Sequence, residues 1–144
     1  MSDLNLFLKK NKLIRVNSFY PATKSIIDPK TKEPALWEIR PIPTEEAERI
    51  REECTHSVLI PGKRNMYRDK IDVSEYLDKL TAAAVVYPDL LNAELQDSYG
   101  VSDPVDLLKQ MIDNPAEYTD LQTYVQEQSG FTTEISDEVK EAKN

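Results

Sequence analysis

The stretch Tyr76–Gly100, YLDKLTAAAVVYPDLLNAELQDSYG, decides how the chain is read. Behind Asp72 and Glu75, spaced as a capping box with Asp in the usual Ser/Thr place, Val73, Tyr76, Leu77, Leu80, Ala84 and Tyr87 keep a helical stripe as far as Pro88. Such a stripe predicts a core helix. After the Pro88 turn, Asn92 starts a short helix that Gly100 closes. Tyr87, Leu90, Leu91, Leu95 and Tyr99 flank that turn and supply more large apolar side chains than one short helix needs. Two readings of these five stay open: core packing, and a partner groove. They overlap, because a helix-in-groove site uses the edge of a core. No catalytic residue set falls in the stretch, so it points to packing and partner binding.

Downstream, Asp103-Pro104 and Asn114-Pro115 each place a cap before a proline at the first helical position, with Asp106 and Glu117 adding negative charge to the first turns. The half after residue 72 therefore reads as four consecutive helices. From Phe131 through Ile135 and Val139 to Asn144 there is little to bury, and this tail is expected to fray or to fold on a partner.

Upstream the pattern becomes strand-like. Ile14, Val16 and Phe19 sit among polar residues between Lys12 and Ile27, Asp28–Pro34 reads as a loop, and Leu36–Ile42 alternates with Trp37 and Ile39 on one face and Glu38 and Arg40 on the other. These segments should pair as a hairpin with one wet face. Thr44 is placed to cap a helix to about Cys54, whose Ala47, Ile50 and Cys54 form a narrow inner stripe. Ser57–Ile60 and Met66–Ile71 flank Pro61-Gly62 as a second hairpin. A first short helix carries Leu4, Phe7 and Leu8, capped by Ser2 or Asp3, and is expected to dock an end. The fold expected is a single α+β domain over residues 1–130, with N-terminal β-hairpins and a short helix mainly within 12–71, a helical half within 72–128, and a tail at 131–144.

Residues 1–72 hold 14 Lys/Arg against 11 Asp/Glu, and residues 73–144 hold 4 against 15, so the chain is a charge dipole. An acidic half repels nucleic acid and favours basic or helical partners. Cys54 is the only cysteine and His56 the only histidine, which excludes a disulfide framework and a Cys/His zinc set. Paired as a thiol and an imidazole, the two lack an orienting third group. The carboxylates are accounted for by capping and solvation, and Gly62, Gly100 and Gly130 each have a turn or helix-end role, so neither an acid/base pair nor a nucleotide-binding loop is read, and no cofactor is expected. The basic turn Lys63-Arg64, with Tyr67, Arg68 and Lys70 behind it, fits an acidic surface or phosphate, and equally a solvated tip. The start MSDLNLFLKK lacks the apolar core of a signal peptide, and Ala82–Tyr87 is far too short to span a membrane, so the expected location is the cytoplasm.

Beyond the order AAAVVYPDLLNAELQDSYG at 82–100, the chain carries WEIRPI at 37–42, PGKRNMY at 61–67, LLKQMI at 107–112, PAEYTDL at 115–121, QEQSGF at 126–131 and EAKN at its end. In these ordered segments it resembles the XkdN-type phage tail assembly chaperones, which are small prophage-encoded proteins. The resemblance implies a binding protein without catalysis or cofactor that escorts the tape measure protein in the host cytoplasm, self-associates and is absent from the finished virion. It also implies help in recruiting tail tube protein, through a longer form made by ribosomal slippage; Ala142-Lys143-Asn144 permits the slippery spelling GCA-AAA-AAC. The alternative is a small acidic phage inhibitor that mimics nucleic acid, but many of the carboxylates sit at first-turn positions and not regularly along one exposed face.

Overall fold

Helix α2 (Val73–Ala84) is the hub on which the other elements pack. A computed structural model describes residues 3–131, and in it Tyr76, Leu77, Leu80, Thr81 and Ala84 of this helix are buried against α1 (Thr44–Glu53), α4 (Pro104–Met111) and α5 (Pro115–Ser129). Only half of the expected capping box forms. Asp72 accepts the Glu75 N–H at 3.1 Å, whereas the Glu75 carboxylate turns to His56 and Lys79 at 3.0 and 3.2 Å, and the Asp72 N–H goes to the Cys54 carbonyl at 2.8 Å. The buried Thr81 Oγ1 donates to the Leu77 carbonyl at 2.7 Å, so it is buried without a desolvation penalty left unmet.

The helix stops at Ala84, one turn before the proline at which its stripe ends. Val85–Tyr87 is a strand, β5. The residue before a proline is pushed out of the helical region, and two β-branched valines precede it, so the last turn is a poor helix and a good strand. The partner is β2 (Trp37–Ile39), paired antiparallel with Ile39 opposite Val85 and Glu38 opposite Tyr87, and the Arg40 N–H reaches the Ala84 carbonyl at 2.9 Å.

On its other side β2 pairs antiparallel with β1 (Ser18–Tyr20), giving the order β1-β2-β5. Trp37 and Ile39 are buried while Phe19 and Glu38, opposite each other, face outward, which is the expected pairing with one wet face. The first strand is shorter than the apolar pattern suggested. Leu13, Ile14 and Val16 lie outside it and stay exposed, since among the described residues no strand pairs with them. Inside, the Tyr20 ring stacks on Tyr124 of α5 with centroids 4.2 Å apart, and the Tyr124 hydroxyl donates to Ser18 Oγ at 2.6 Å.

The second hairpin forms as expected from β3 (Thr55–Leu59) and β4 (Tyr67–Ile71), with Leu59 opposite Tyr67. Its turn closes through the Lys63 N–H on the Ile60 carbonyl at 3.1 Å, and Gly62 takes φ +76°, the conformation that the third position of a Pro-Gly turn demands. Thr44 proves to be the first helical residue of α1 and not its cap. Pro43 already holds the extended cap conformation (φ −74°, ψ 159°) and its carbonyl accepts the Ala47 N–H at 3.0 Å. The Ala47, Ile50, Cys54 stripe is buried.

The four-helix reading of the second half holds, with β5 between the first helix and α3 (Ala93–Ser98). Asn92, Asp103 and Asn114 cap α3, α4 and α5 by accepting backbone N–H groups of Leu95, Asp106 and both Ala116 and Glu117. Asp78 of α2 joins three of these helices: Tyr118 donates to it at 2.6 Å, Gln122 at 3.1 Å, and Lys109 lies at 2.9 Å. The N-terminal stripe does not dock. Leu4–Phe7 and Lys9–Asn11 are short 3₁₀ turns without a side-chain cap, and Leu4, Leu6 and Phe7 are exposed, because a single turn with three lysines behind it gains too little to offset helix nucleation. Ser2 as a cap, and the tail from residue 132 onward, lie outside the described residues.

Candidate partner-binding groove

The five side chains around Pro88 divide between the two readings. Leu90 is 4% exposed and belongs to the core, and Leu95 is half-buried against it; Tyr87 at 65% and Leu91 at 74% face outward, as does much of Tyr99. The division follows from the turn. The Asp89 carboxylate accepts the Leu91 N–H at 3.0 Å and its carbonyl the Asn92 N–H at 3.1 Å, so the chain reverses tightly and adjacent leucines point opposite ways. Gln96 Nε2 then donates to the Leu90 carbonyl at 2.8 Å and holds α3 against the turn.

Between the C-terminal end of α2 and the start of α4 this arrangement leaves an open groove of about 380 Å³. Ala82, Ala83, Val85 and Leu90 form its floor, Leu91 and Val105 its walls, and Glu53, Asp89 and Asp103 an acidic rim. Lys79 also lines it, but its ammonium already stands 3.8 Å from Glu53 and 3.2 Å from Glu75. An apolar floor with carboxylates at the edge suits a segment that is apolar and basic. Two of the five residues singled out from the sequence, Leu90 and Leu91, line this groove; of the rim carboxylates only Asp103 carries a sequence reading of its own, as a cap. The Ala82-Ala83 pair was the available signal, since small, half-buried side chains leave room for an occupant.

Lys63 and Arg64 are elsewhere, exposed at the β3–β4 tip with Tyr67, Arg68 and Lys70 along the same hairpin. They do not line the groove. Cys54 and His56 are not a pair: the thiol is buried at the end of α1, where burial pushes its pKa up, while His56 Nε2 faces Glu75 Oε2 at 3.0 Å on β3. The His56 ring, and then Lys79, hold the Glu75 carboxyl below its ordinary range. Among the described residues no three His, Cys, Asp or Glu converge as a metal site, and no helix is long and apolar enough to cross a membrane.

Over residues 4–143 the chain matches the family of phage XkdN-like tail assembly chaperone proteins. The chain belongs to that family. The resemblance first read from WEIRPI, PGKRNMY and their neighbours is thereby borne out. Among the family's relatives, the phage-like element PBSX protein XkdN of Bacillus subtilis (strain 168) is 26% identical over 142 residues, covering 99% of this chain and 94% of its own. Protein YqbN of the same strain is 23% identical over 142 residues, covering 99% and 93%. The crystal structure of YqbN superposes with a TM-score of 0.76 at 20% identity, over 92% of this chain and 99% of that one, and so shares the α+β fold.

Proposed function

We propose that this member of the tail assembly chaperone family binds the tape measure protein, keeps it soluble, and helps bring tail tube protein to it during tail morphogenesis. The observation that carries the reading is the family match across residues 4–143, and the apolar groove beside Leu91 supports it. A long, largely helical cargo needs apolar faces covered before assembly, and a groove of this kind receives one amphipathic segment at a time. The proposed protein works by binding alone, without catalysis or cofactor, in the host cytoplasm, and is left out of the finished virion. A longer slippage product sharing this N-terminus is the proposed contact to tube protein. The nucleic-acid mimic is the weaker reading, since Asp72, Asp103 and Asp89 are occupied in holding backbone N–H groups and not arrayed as a phosphate ladder.

Co-expression with the cognate tape measure protein tests this reading. A rise in soluble tape measure protein and a complex that survives pull-down are expected, with Leu91→Glu weakening both. A tape measure protein equally soluble alone, with no recovered complex, overturns it. Mass spectrometry of purified virions checks the proposed absence from the particle.

A further inference from the structure

The arm before β1 forms one side of an open trough of about 680 Å³, basic and apolar at once. Lys9, Lys12 and Arg15 supply the charge, and Leu13 and Ile14 face Pro41 and Pro43 across it. Arg40 also borders it but is paired with Glu46. Among the described residues no carboxylate lines the trough, and from residue 4 to residue 27 the sequence holds no Asp or Glu. Leu13 and Ile14 are 91% and 89% exposed. Two large apolar neighbours this open, set among cations, lack a cover.

The course of the chain names the cover. Arg15 donates to the Ser129 carbonyl at 2.8 Å and the Ile42 N–H to Ser129 Oγ at 2.9 Å, so the C-terminal end of α5 is fastened beside the trough. Gly130 closes the helix at φ +87°, and the half-buried Phe131 donates its N–H to the Gln126 carbonyl at 2.9 Å. The sequence continues over residues 132–144 as TTEISDEVKEAKN, with Ile135, Val139 and Ala142 spaced i, i+4, i+7 and four carboxylates against two lysines. We propose that residues 132–144 dock on this trough of the same chain, Ile135 and Val139 covering Leu13 and Ile14 while the carboxylates meet Lys9, Lys12 and Arg15. Charge decides among the surfaces. The neighbouring hollow bordered by Ser129 and Phe131 carries Glu48 and Arg51, one charge of each sign, and the α2–α4 groove has an acidic rim that repels this segment. Length decides between one chain and two. Thirteen residues reach on the order of 40 Å when extended, and the trough begins beside their point of departure. A tether this short holds the segment at about millimolar effective concentration, well above a second copy at micromolar concentration. The contact joins the two ends of the chain, and an acidic partner segment reaches the arm only by displacing the tail. It does not rest on the cargo reading, which uses the groove between α2 and α4.

Limited trypsin digestion of the full chain, followed by mass spectrometry, tests the contact from both sides, each variant being read at the end it leaves intact. I135D/V139D should raise the rate of cleavage after Lys9, Lys10 and Lys12 about tenfold or more, and L13D/I14D should do the same after Lys140. E134Q/E138Q/E141Q should also open the arm although its apolar residues are in place. Circular dichroism verifies that each variant keeps the wild-type helix and strand content, and cleavage after Arg49 in α1 serves as the internal reference for global unfolding. Wild-type protection should be the same across a dilution series. An arm cut as fast in the wild type as in I135D/V139D overturns the proposal. Protection that fades on dilution also overturns it, because the cover would then be a second copy. A neutralised tail that protects as well as the native one removes the charge pairing, and the assignment to this trough falls with it.

Discussion

Leu90 and Leu91 are adjacent, chemically identical and oppositely placed, so truncating each in turn separates core from groove within one turn of chain. Leu90 is 4% exposed and packs in the main cluster, and Leu91 is 74% exposed. Leu90→Ala removes buried methyl groups and leaves a cavity, costing about 2–5 kcal/mol. For a domain of this size each kcal/mol corresponds to about 3 °C in Tm, so a fall of about 6–15 °C is expected. Leu91→Ala removes a side chain mostly in water and should change stability by no more than about 0.5 kcal/mol, a shift of about 1–2 °C. Thermal melts followed by circular dichroism supply the first comparison, and pull-down of tape measure protein at a temperature where both variants are folded supplies the second. Leu91→Ala should bind more weakly at unchanged Tm. The same logic puts Tyr87→Ala with Leu91→Ala, and the half-buried Leu95→Ala between the two leucines. If Leu91→Ala melts as low as Leu90→Ala, or if Leu90→Ala melts like wild type, the division of the cluster into floor and outer wall is wrong.

Tyr118→Phe should lower stability by about 1.5–3 kcal/mol by removing a hydrogen bond to a carboxylate, and Asp78→Ala should cost more because Tyr118, Gln122 and Lys109 lose their acceptor together, both measured by urea denaturation. Glu117 is held below its ordinary value near 4.5 by the Lys24 N–H and then the Thr23 hydroxyl, so its contribution is present above that value and lost as pH falls through the lower folded pKa. Glu117→Gln should therefore flatten the acid side of a Tm-against-pH profile, and an unaltered profile refutes the assignment. Charge reversal at Lys63 and Arg64 should leave stability within about 0.5 kcal/mol of wild type, since both sit at a solvated tip; a loss of partner capture that depends on ionic strength would give them a binding role.

Local signals carried most of the helices. Asn92, Asp103 and Asn114 each announce a helix start in two or three residues, and each does accept the backbone N–H groups that its position predicts. The Pro61-Gly62 turn is local in the same sense. What escaped is what depends on distant partners. Val85–Tyr87 continues the helical stripe on paper; Pro88 and the two valines weaken it as helix, and pairing with β2 completes it as a strand. Ile14 and Val16 look like part of a strand, but a period-two pattern cannot say whether a second strand will arrive. The groove was half legible: its leucines stood out, whereas Asp103 was explained as a cap and Asp89 had no separate signal, and their position at the rim emerges only when α2 and α4 are brought side by side.

The tie between the two ends of the fold sets a timetable for its birth. Ser18 waits for Tyr124, 106 residues later, Arg15 for Ser129, 114 later, and Thr23 for Glu117, 94 later. At ~5–20 residues per second, translation leaves β1 without its stacking partner for on the order of 5–20 s. Throughout that interval Tyr20 lacks the aromatic lid that α5 brings, and the nascent N-terminal half is itself a sticky, unfinished client. The N-terminal half thus stays uncovered until α5 is made, and a premature stop anywhere ahead of α5 would yield a fragment prone to clumping, not a smaller folded version.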